Sequence, residues 1–488
     1  MVTSFPYLSA ICYCPLVAVL IILFLPPDRK NAIRWISVAS GAVSLALTLA
    51  IYVMYDRSVG GFQFVERATW VESLGIHYYF AVDGINLPMV LLTSITLLTG
   101  VWTMWGLETR VKEYFALMLF MVVGVYGVFL SLDLFFLFVF YDVSLFPMYP
   151  LIAIWGTTRK EYGALKLTLY LLAGSALVLP GILYVYFQAW IFTFDLVQIA
   201  QVGLPKNAQL IAFFLFLFGF GVLAGLWPFH TWSPVGHVAA PTAVSMIHAG
   251  VLMKLGAYGV LRVGMFLCPL GLEHWAPLMA VLATIGIVYG AFVGLAQTDL
   301  KYVIGYSSVS HMGLVSLGLA TATVGGINGA VFQMFSHGVM TALLFSSVGH
   351  LYDKTHTKMI PELGGMAKVM PATSFFFIFA ALAGIGVPCL SSFWAELLVF
   401  IHAFRVYPVL GLFAILGLVV SALFMLRVAQ KAFYGEKNTR FADKPDMSLI
   451  MRFPRAMLAG TLLLFGLLPR LMLDLINGSV SVFVQGLK

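Results

Sequence analysis

Runs of about 20 apolar residues, separated by short polar stretches, recur along the whole chain. That is the length a helix needs to cross the hydrocarbon core of a bilayer. The pattern predicts about fourteen spans, at roughly 7–25, 35–55, 85–105, 114–132, 134–155, 163–188, 209–228, 243–265, 277–297, 301–320, 325–350, 371–402 (interrupted), 408–430 and 454–475. Connecting stretches are short except for 56–84, 190–208 and 431–453. A membrane β-barrel would show short alternating segments instead. The expected fold is therefore an all-α polytopic membrane bundle.

Two spans are interrupted in the same way. Leu223-Ala224-Gly225 precedes Pro228 and Trp232 in span 7, and Leu382-Ala383-Gly384 precedes Pro388 and Trp394 in span 12. The two sites are about 160 residues, or five spans, apart. Because five is odd, the second copy is inverted in the membrane. Gly/Pro-broken helices at matching places in two inverted halves point to a transport site near mid-membrane. The chain then divides into helices 1–3 (1–113), a first inverted repeat of helices 4–8 (114–265), a second of helices 9–13 (277–430), and a C-terminal loop with helix 14 (431–488).

Composition strengthens this picture. Of 488 residues, 61% are hydrophobic and 10% charged, against about 25% charged in a soluble domain. The net charge of +7 is scattered over short loops, which suits lipid headgroups and topology, not a nucleic acid. Loops after odd-numbered spans carry about 18 Lys and Arg and the opposite side about 7, so the first side is cytoplasmic and both termini lie outside it. The N-terminus lacks a basic region before its first apolar run and reads as a retained helix. Cys12 and Cys14, without a second pair, are a poor metal signal.

Ionisable residues inside spans are few, and each is a functional candidate. Lys254 sits mid-span in Ala249–Tyr258, where burying an ammonium costs about 2.5–3.5 kcal/mol or more. Its bland alternative is a lysine paired structurally with a carboxylate. Asp142 and Glu396 are lone carboxylates in apolar runs, Glu396 just after the break in span 12. His311, His337 and His248 could carry protons at neutral pH or be hydrogen-bonded core residues. His248 is six residues before Lys254, about 9 Å along a helix. His350 and His356 are expected at or beyond a helix end, solvated, and Asp299 and Lys301 as helix cap or anchor. No spaced metal-ligand cluster, phosphate loop or nucleophile–base set appears.

The stretches Phe138–Gly156, Pro228–Arg262, Gln297–Leu317 and Gly329–Phe404 resemble the antiporter-like chain M family of proton-pumping NADH-quinone oxidoreductase, respiratory complex I, which includes mitochondrial subunit 4. The most specific pieces are Phe229-His230-Thr231-Trp232, Ala240-Pro241-Thr242, Tyr306–Gly313 and Leu351–Thr357. The resemblance implies fourteen helices with two inverted five-helix repeats, periplasmic termini in a bacterial plasma membrane, and proton transfer driven by quinone reduction elsewhere in the complex. It implies no cofactor in this chain, with flavin, iron–sulfur clusters and quinone in partner subunits. The partners would be chains L and N, small membrane chains and lipid.

By motif, Lys254 corresponds to the family's central relay lysine, Glu396 to the carboxylate of the broken twelfth helix, and His311 and His337 to histidines of the central axis. Three positions depart from the pattern: Asp142 replaces a glutamate, Leu223 replaces the lysine of broken helix 7, and Val235 replaces an acid. His248 is more typical of chain L and its Mrp-type counterpart. This suggests that His248, or Lys254 itself, serves as the cation facing Asp142. The competing readings are one chain of an Mrp-type cation/proton antiporter, or the membrane arm of a hydrogenase or formate hydrogenlyase. The chain ends soon after span 14, without chain L's long lateral helix.

Overall fold

The computed structural model describes residues 5–487; Lys488, counted among the loop charges, lies outside them. The chain begins with α1 (Tyr7–Phe24) and α2 (Lys30–Met54). The stretch 56–84, expected as a loop, folds into an antiparallel hairpin, β1 (Gln63–Val71) and β2 (Ile76–Val82), so the bundle is not purely helical. Aromatic and β-branched residues in Ile76–Val82 favour a strand, and Gly75 supplies the left-handed turn (φ +63°). The hairpin is tied to the helices: Glu66 accepts from the Leu8 and Ser9 N–H groups (2.7 and 3.0 Å), acting as a borrowed N-cap for α1.

Next come α3 (Leu87–Thr103) and α4 (Val111–Leu130). The expected single span 134–155 is split into α5 (Leu134–Leu145) and α6 (Met148–Trp155). Pro147 stands at the join, where it has no N–H to give and its ring crowds the preceding turn. After α7 (Lys160–Gln188), the stretch 190–208 holds a short helix, α8 (Leu196–Val202), capped by Asp195.

Span 7 is broken as expected. The helix α9 (Lys206–Ala224) stops at Gly225 (φ +75°), a left-handed end that glycine adopts freely, and resumes as α10 (Trp232–Ala239). Span 8 comprises α11 (Thr242–Ile247), a π-helical turn at His248–Leu252, α12 (Met253–Gly259) and a second π-helical stretch at Val260–Met265.

The second half follows with α13 (Pro269–Ala296), α14 (Leu300–Ala320) and α15 (Val324–Thr355), then the short α16 (Ile360–Leu363) and α17 (Met366–Val369). Span 12 is broken between α18 (Pro371–Gly384) and α19 (Ser391–Val406). The chain continues with α20 (Pro408–Val428) and α21 (Leu449–Leu467). The expected span 454–475 is corrected here, because Pro469 ends that helix and starts α22 (Arg470–Gly486). This last helix is amphipathic and lays Met472, Leu475, Ile476 and Phe483 on the bundle.

Among the described residues, twelve helices are long and apolar enough to cross a membrane. Two shorter apolar helices, Leu87–Thr103 and Pro371–Gly384, fill the third and twelfth expected positions. A local repeat shows in a pair of capping aspartates. Asp133 opens α5 by accepting from the Phe135 and Phe136 N–H groups (2.9 and 3.1 Å). Five spans later, Asp299 opens α14 by accepting from Lys301 and Tyr302 (2.8 and 3.4 Å). Each aspartate also makes an isolated β-bridge, to Asp195 and Met359 respectively. Helices α11, α12, α14 and α15 are almost wholly surrounded by protein, so their polar groups face neighbouring helices and not lipid.

Candidate functional site

A series of buried polar groups centres on Lys254. This residue is fully buried, and its ammonium donates to the Ala249 carbonyl, reached through the wide π-helical turn before it. Its Nζ also lies 2.8 Å from His337 Nδ1 on α15. An ammonium only donates, so this contact makes His337 Nδ1 the acceptor. The His337 ring lies 5.2 Å from that of His311 on α14, centroid to centroid.

His311 Nδ1 is 3.6 Å from Glu396 Oε1 on α19. Gln333 Nε2 bridges the two, at 3.2 Å from His311 Nδ1 and 3.4 Å from Glu396 Oε1. Among the described residues, Glu396 Oε2 is buried without a protein partner. It occupies the place a side chain would take at Gly386, whose φ of +69° also favours glycine. The break in span 12 therefore makes room for a carboxylate inside the membrane.

Two more histidines belong to the same span as Lys254 and to the half-helix before it. His248 stacks on Trp232 (5.1 Å), and the His237 ring is 4.6 Å from that of His248. Both are fully buried, and none of their ring nitrogens has a partner among the described residues. Trp232 is held in place by donating Nε1–H to the Val222 carbonyl (2.8 Å), which also accepts the Gly225 N–H (3.1 Å) where α9 stops. Its counterpart Trp394 instead donates to Gly466 on α21 (2.8 Å), so the two breaks are braced differently.

The C-terminal end of α10 collects cations. Lys301 Nζ donates to the Ala240 carbonyl (2.9 Å), Lys358 Nζ to Val238 (3.5 Å), and the Thr157 N–H to Ala239 (2.8 Å). Unpaired carbonyls and the helix dipole both favour positive charge there. Asp299 lies 3.7 Å from Lys358. Burial raises the Asp299 carboxyl against the pull of Lys358, and lowers the Lys358 amine against the pull of Asp299. Asp299 is the cap the sequence suggested, but Lys301 is no interfacial anchor, being only 3% exposed. Its Nζ turns inward because the end of α10 offers it an acceptor.

Of the expected residues, the structure brings Lys254, His337, His311 and Glu396 together, with His248 nearby. It does not bring Asp142 to them. Asp142 is half-buried on α5, accepts from Ser175 Oγ (2.8 Å), and lines a cavity of about 520 Å³ between α5–α6 and α7 with Leu145, Phe146 and Leu171. Among the described residues no cation pairs with it. His350, expected in solvent, is buried because α15 runs on to Thr355. His356 is exposed, as expected. Sequence reasoning passed over His237, Gln333 and the inward role of Lys301. His237 stands in a half-helix that follows a break, and that position was the available signal.

A family model described as "NADH:quinone oxidoreductase/Mrp antiporter, TM" matches residues 131–424. The chain is 36% identical to NADH-quinone oxidoreductase subunit M of Rickettsia conorii, covering 98% of each. It is also 36% identical to NAD(P)H-quinone oxidoreductase chain 4 1 of a Nostoc species, covering 96% of this chain and 89% of that one. Among solved structures, a chain of respiratory complex I from Thermus thermophilus with bound NADH superposes with a TM-score of 0.91 at 26% identity, covering 99% of this chain and 100% of that one. A chain of the Mrp complex from a Dietzia species superposes at 0.87 with 21% identity, covering 99% and 100%, a likeness of fold.

Proposed function

This chain belongs to the NADH:quinone oxidoreductase/Mrp antiporter family of membrane proteins, and from that premise we propose how it moves protons. It is an antiporter-like membrane-arm subunit of a proton-translocating NADH-quinone oxidoreductase. The chain itself performs no redox step. Flavin, iron–sulfur clusters and quinone belong to partner subunits, and chains resembling L and N, with small membrane chains, are its neighbours. It resides in a bacterial plasma membrane with both termini periplasmic. Its transport unit is the pair of inverted halves, 114–265 and 277–430.

The observation that carries this reading is the buried series His237, His248, Lys254, His337, His311 and Glu396, supported by helices α10–α12, α14, α15 and α19. Each member can take up and release one proton, and buried polar groups without a protein partner are places where ordered water completes a hydrogen-bonded path. Lys254 is the switch. As an ammonium it donates to His337, and after giving up a proton it can accept one from the His248 side. Glu396 is the terminal acceptor. Leu223 leaves Asp142 outside this series, as a modulating group on the face of α5.

Copurification tests the assignment. Solubilised from its native membrane, the chain is expected to travel with flavin and iron–sulfur proteins. Recovery with small membrane chains alone would favour an Mrp-type antiporter. Recovery with a nickel–iron protein would favour a membrane-bound hydrogenase.

A further inference from the structure

A polar cavity of about 330 Å³ opens between the ends of α3, α15 and α21. It lies at the end of the bundle that carries most of the loop lysines and arginines. Its walls include Gly106, His350, Asp353, Lys354 and Arg455. His350 and Arg455 are 4% and 3% exposed, and His350 Nε2 and Arg455 Nε have no partner among the described residues. Arg455 is fixed by the Met451 and Ser346 carbonyls, the latter at 2.8 Å, so the helices on either side of the cavity are pinned together. Opposite charges line it, so it is not built to hold an anion.

Asp353 is exposed. It lies within electrostatic reach of Arg455 on one side and of Lys301 on the other. Lys301 in turn reaches Ala240 at the end of α10, three residues beyond His237, and acts electrostatically on the His237 ring. The cavity wall at Asp353 and the Lys301–Ala240 hydrogen bond thus mark out, with these electrostatic influences between them, a route from the open cavity toward the first buried histidine.

We propose that this cavity is the aqueous inlet of the proton path, with Asp353 collecting protons and Lys301 passing them to His237. Each step moves one proton. The Asp353 carboxyl gives its proton to the neutral Lys301 amine and becomes a carboxylate that water reprotonates. The Lys301 ammonium then gives a proton to a His237 ring nitrogen and returns to the neutral amine. The inference rests on the proton-transfer function proposed above.

The test uses the assembled complex in membrane vesicles with the cavity side outward. A side chain added at Gly106 meets open space, so Gly106→Cys should assemble and pump normally until a bulky thiol reagent fills the cavity. Labelled vesicles are expected to lose about half or more of the proton-pumping rate, while the unsubstituted chain treated alike does not. Asp353→Asn should show the same loss and Asp353→Glu should restore pumping. Unchanged pumping in both labelled Gly106→Cys and Asp353→Asn overturns the inlet. Lys254→Met, run in parallel, separates the two claims: if it abolishes pumping while the inlet variants do not, only the inlet falls. If Lys254→Met also pumps normally, the transport function falls with it.

Discussion

Lys254 on α12 and His337 on α15 hold each other across the helix interface, Nζ to Nδ1 at 2.8 Å, with both side chains fully buried. The imidazole replaces part of the hydration the ammonium loses, and the Ala249 carbonyl supplies another part. Neither residue is easily understood alone. A buried charge left without a partner is costly, whereas an apolar replacement of both partners can be neutral or stabilising.

That asymmetry gives the first prediction. His337→Leu should destabilise the assembled protein by about 1.5–3 kcal/mol, because it leaves the ammonium with the Ala249 carbonyl as its one acceptor among the described residues. Lys254→Met/His337→Leu should recover most of that loss yet not pump. Thermal unfolding and proton uptake, measured on the same preparations, separate structural from functional loss.

The two carboxylates should rank unequally. Glu396 is 2% exposed and joined through Gln333 to His311, while Asp142 is hydrogen-bonded to Ser175 at the edge of an apolar cavity. Glu396→Gln is expected to reduce pumping by about 100-fold, in the range of a lost acid–base group. Asp142→Asn should reduce it by less than about tenfold. Vesicle acidification rates check the order, and a larger loss for Asp142→Asn would place the α5 acid in the path itself.

A buried ion pair outside the central series should be purely structural. Arg262 Nη2 meets Asp83 Oδ2 at 2.5 Å, and Asp83 also accepts from the Ile85 and Asn86 N–H groups (3.0 Å each). Arg262→Met alone should cost about 3–5 kcal/mol, and Arg262→Met/Asp83→Asn much less. Denaturation midpoints of the purified complex report the difference, with pumping per assembled complex unchanged in the double variant.

The cap of α5 carries a pH signature. Burial pushes the Asp133 carboxyl up to about 6, against the bonds it accepts from the His77, Phe136 and Phe135 N–H groups. A carboxyl whose folded value exceeds its unfolded one contributes stability that is fully present below the unfolded value and lost as pH rises through about 6. Asp133→Asn, neutral throughout, should remove that loss between about pH 4 and 6. Asp133→Ala should instead lower stability at every pH by about 1–2 kcal/mol through the missing cap. Melting curves over this pH range distinguish the three proteins.

Much of this arrangement was legible in the sequence. The spans, the breaks at Gly225 and Gly384, and Lys254 and Glu396 all stand out because charge and helix-breaking residues are expensive inside a membrane. What escaped has a physical reason in each case. The hairpin 63–82 hides in a stretch whose strand pattern is half apolar, and Pro469 ends α21 inside an otherwise continuous apolar run. His237 fell between the expected spans 7 and 8, and Lys301 was expected to cap or anchor a helix, because the inward role of both depends on where α10 ends in space. The separation of Asp142 from His248 is a matter of helix packing, which spacing along a chain does not encode.

In the proposed path every proton crosses this chain through Lys254. The direct test is proton pumping by the complex reconstituted in liposomes, with Lys254→Met compared with the unsubstituted chain at equal quinone reductase content. The variant is expected to assemble and to pump at least about tenfold more slowly. Pumping at the unsubstituted rate and proton-to-electron ratio would contradict it.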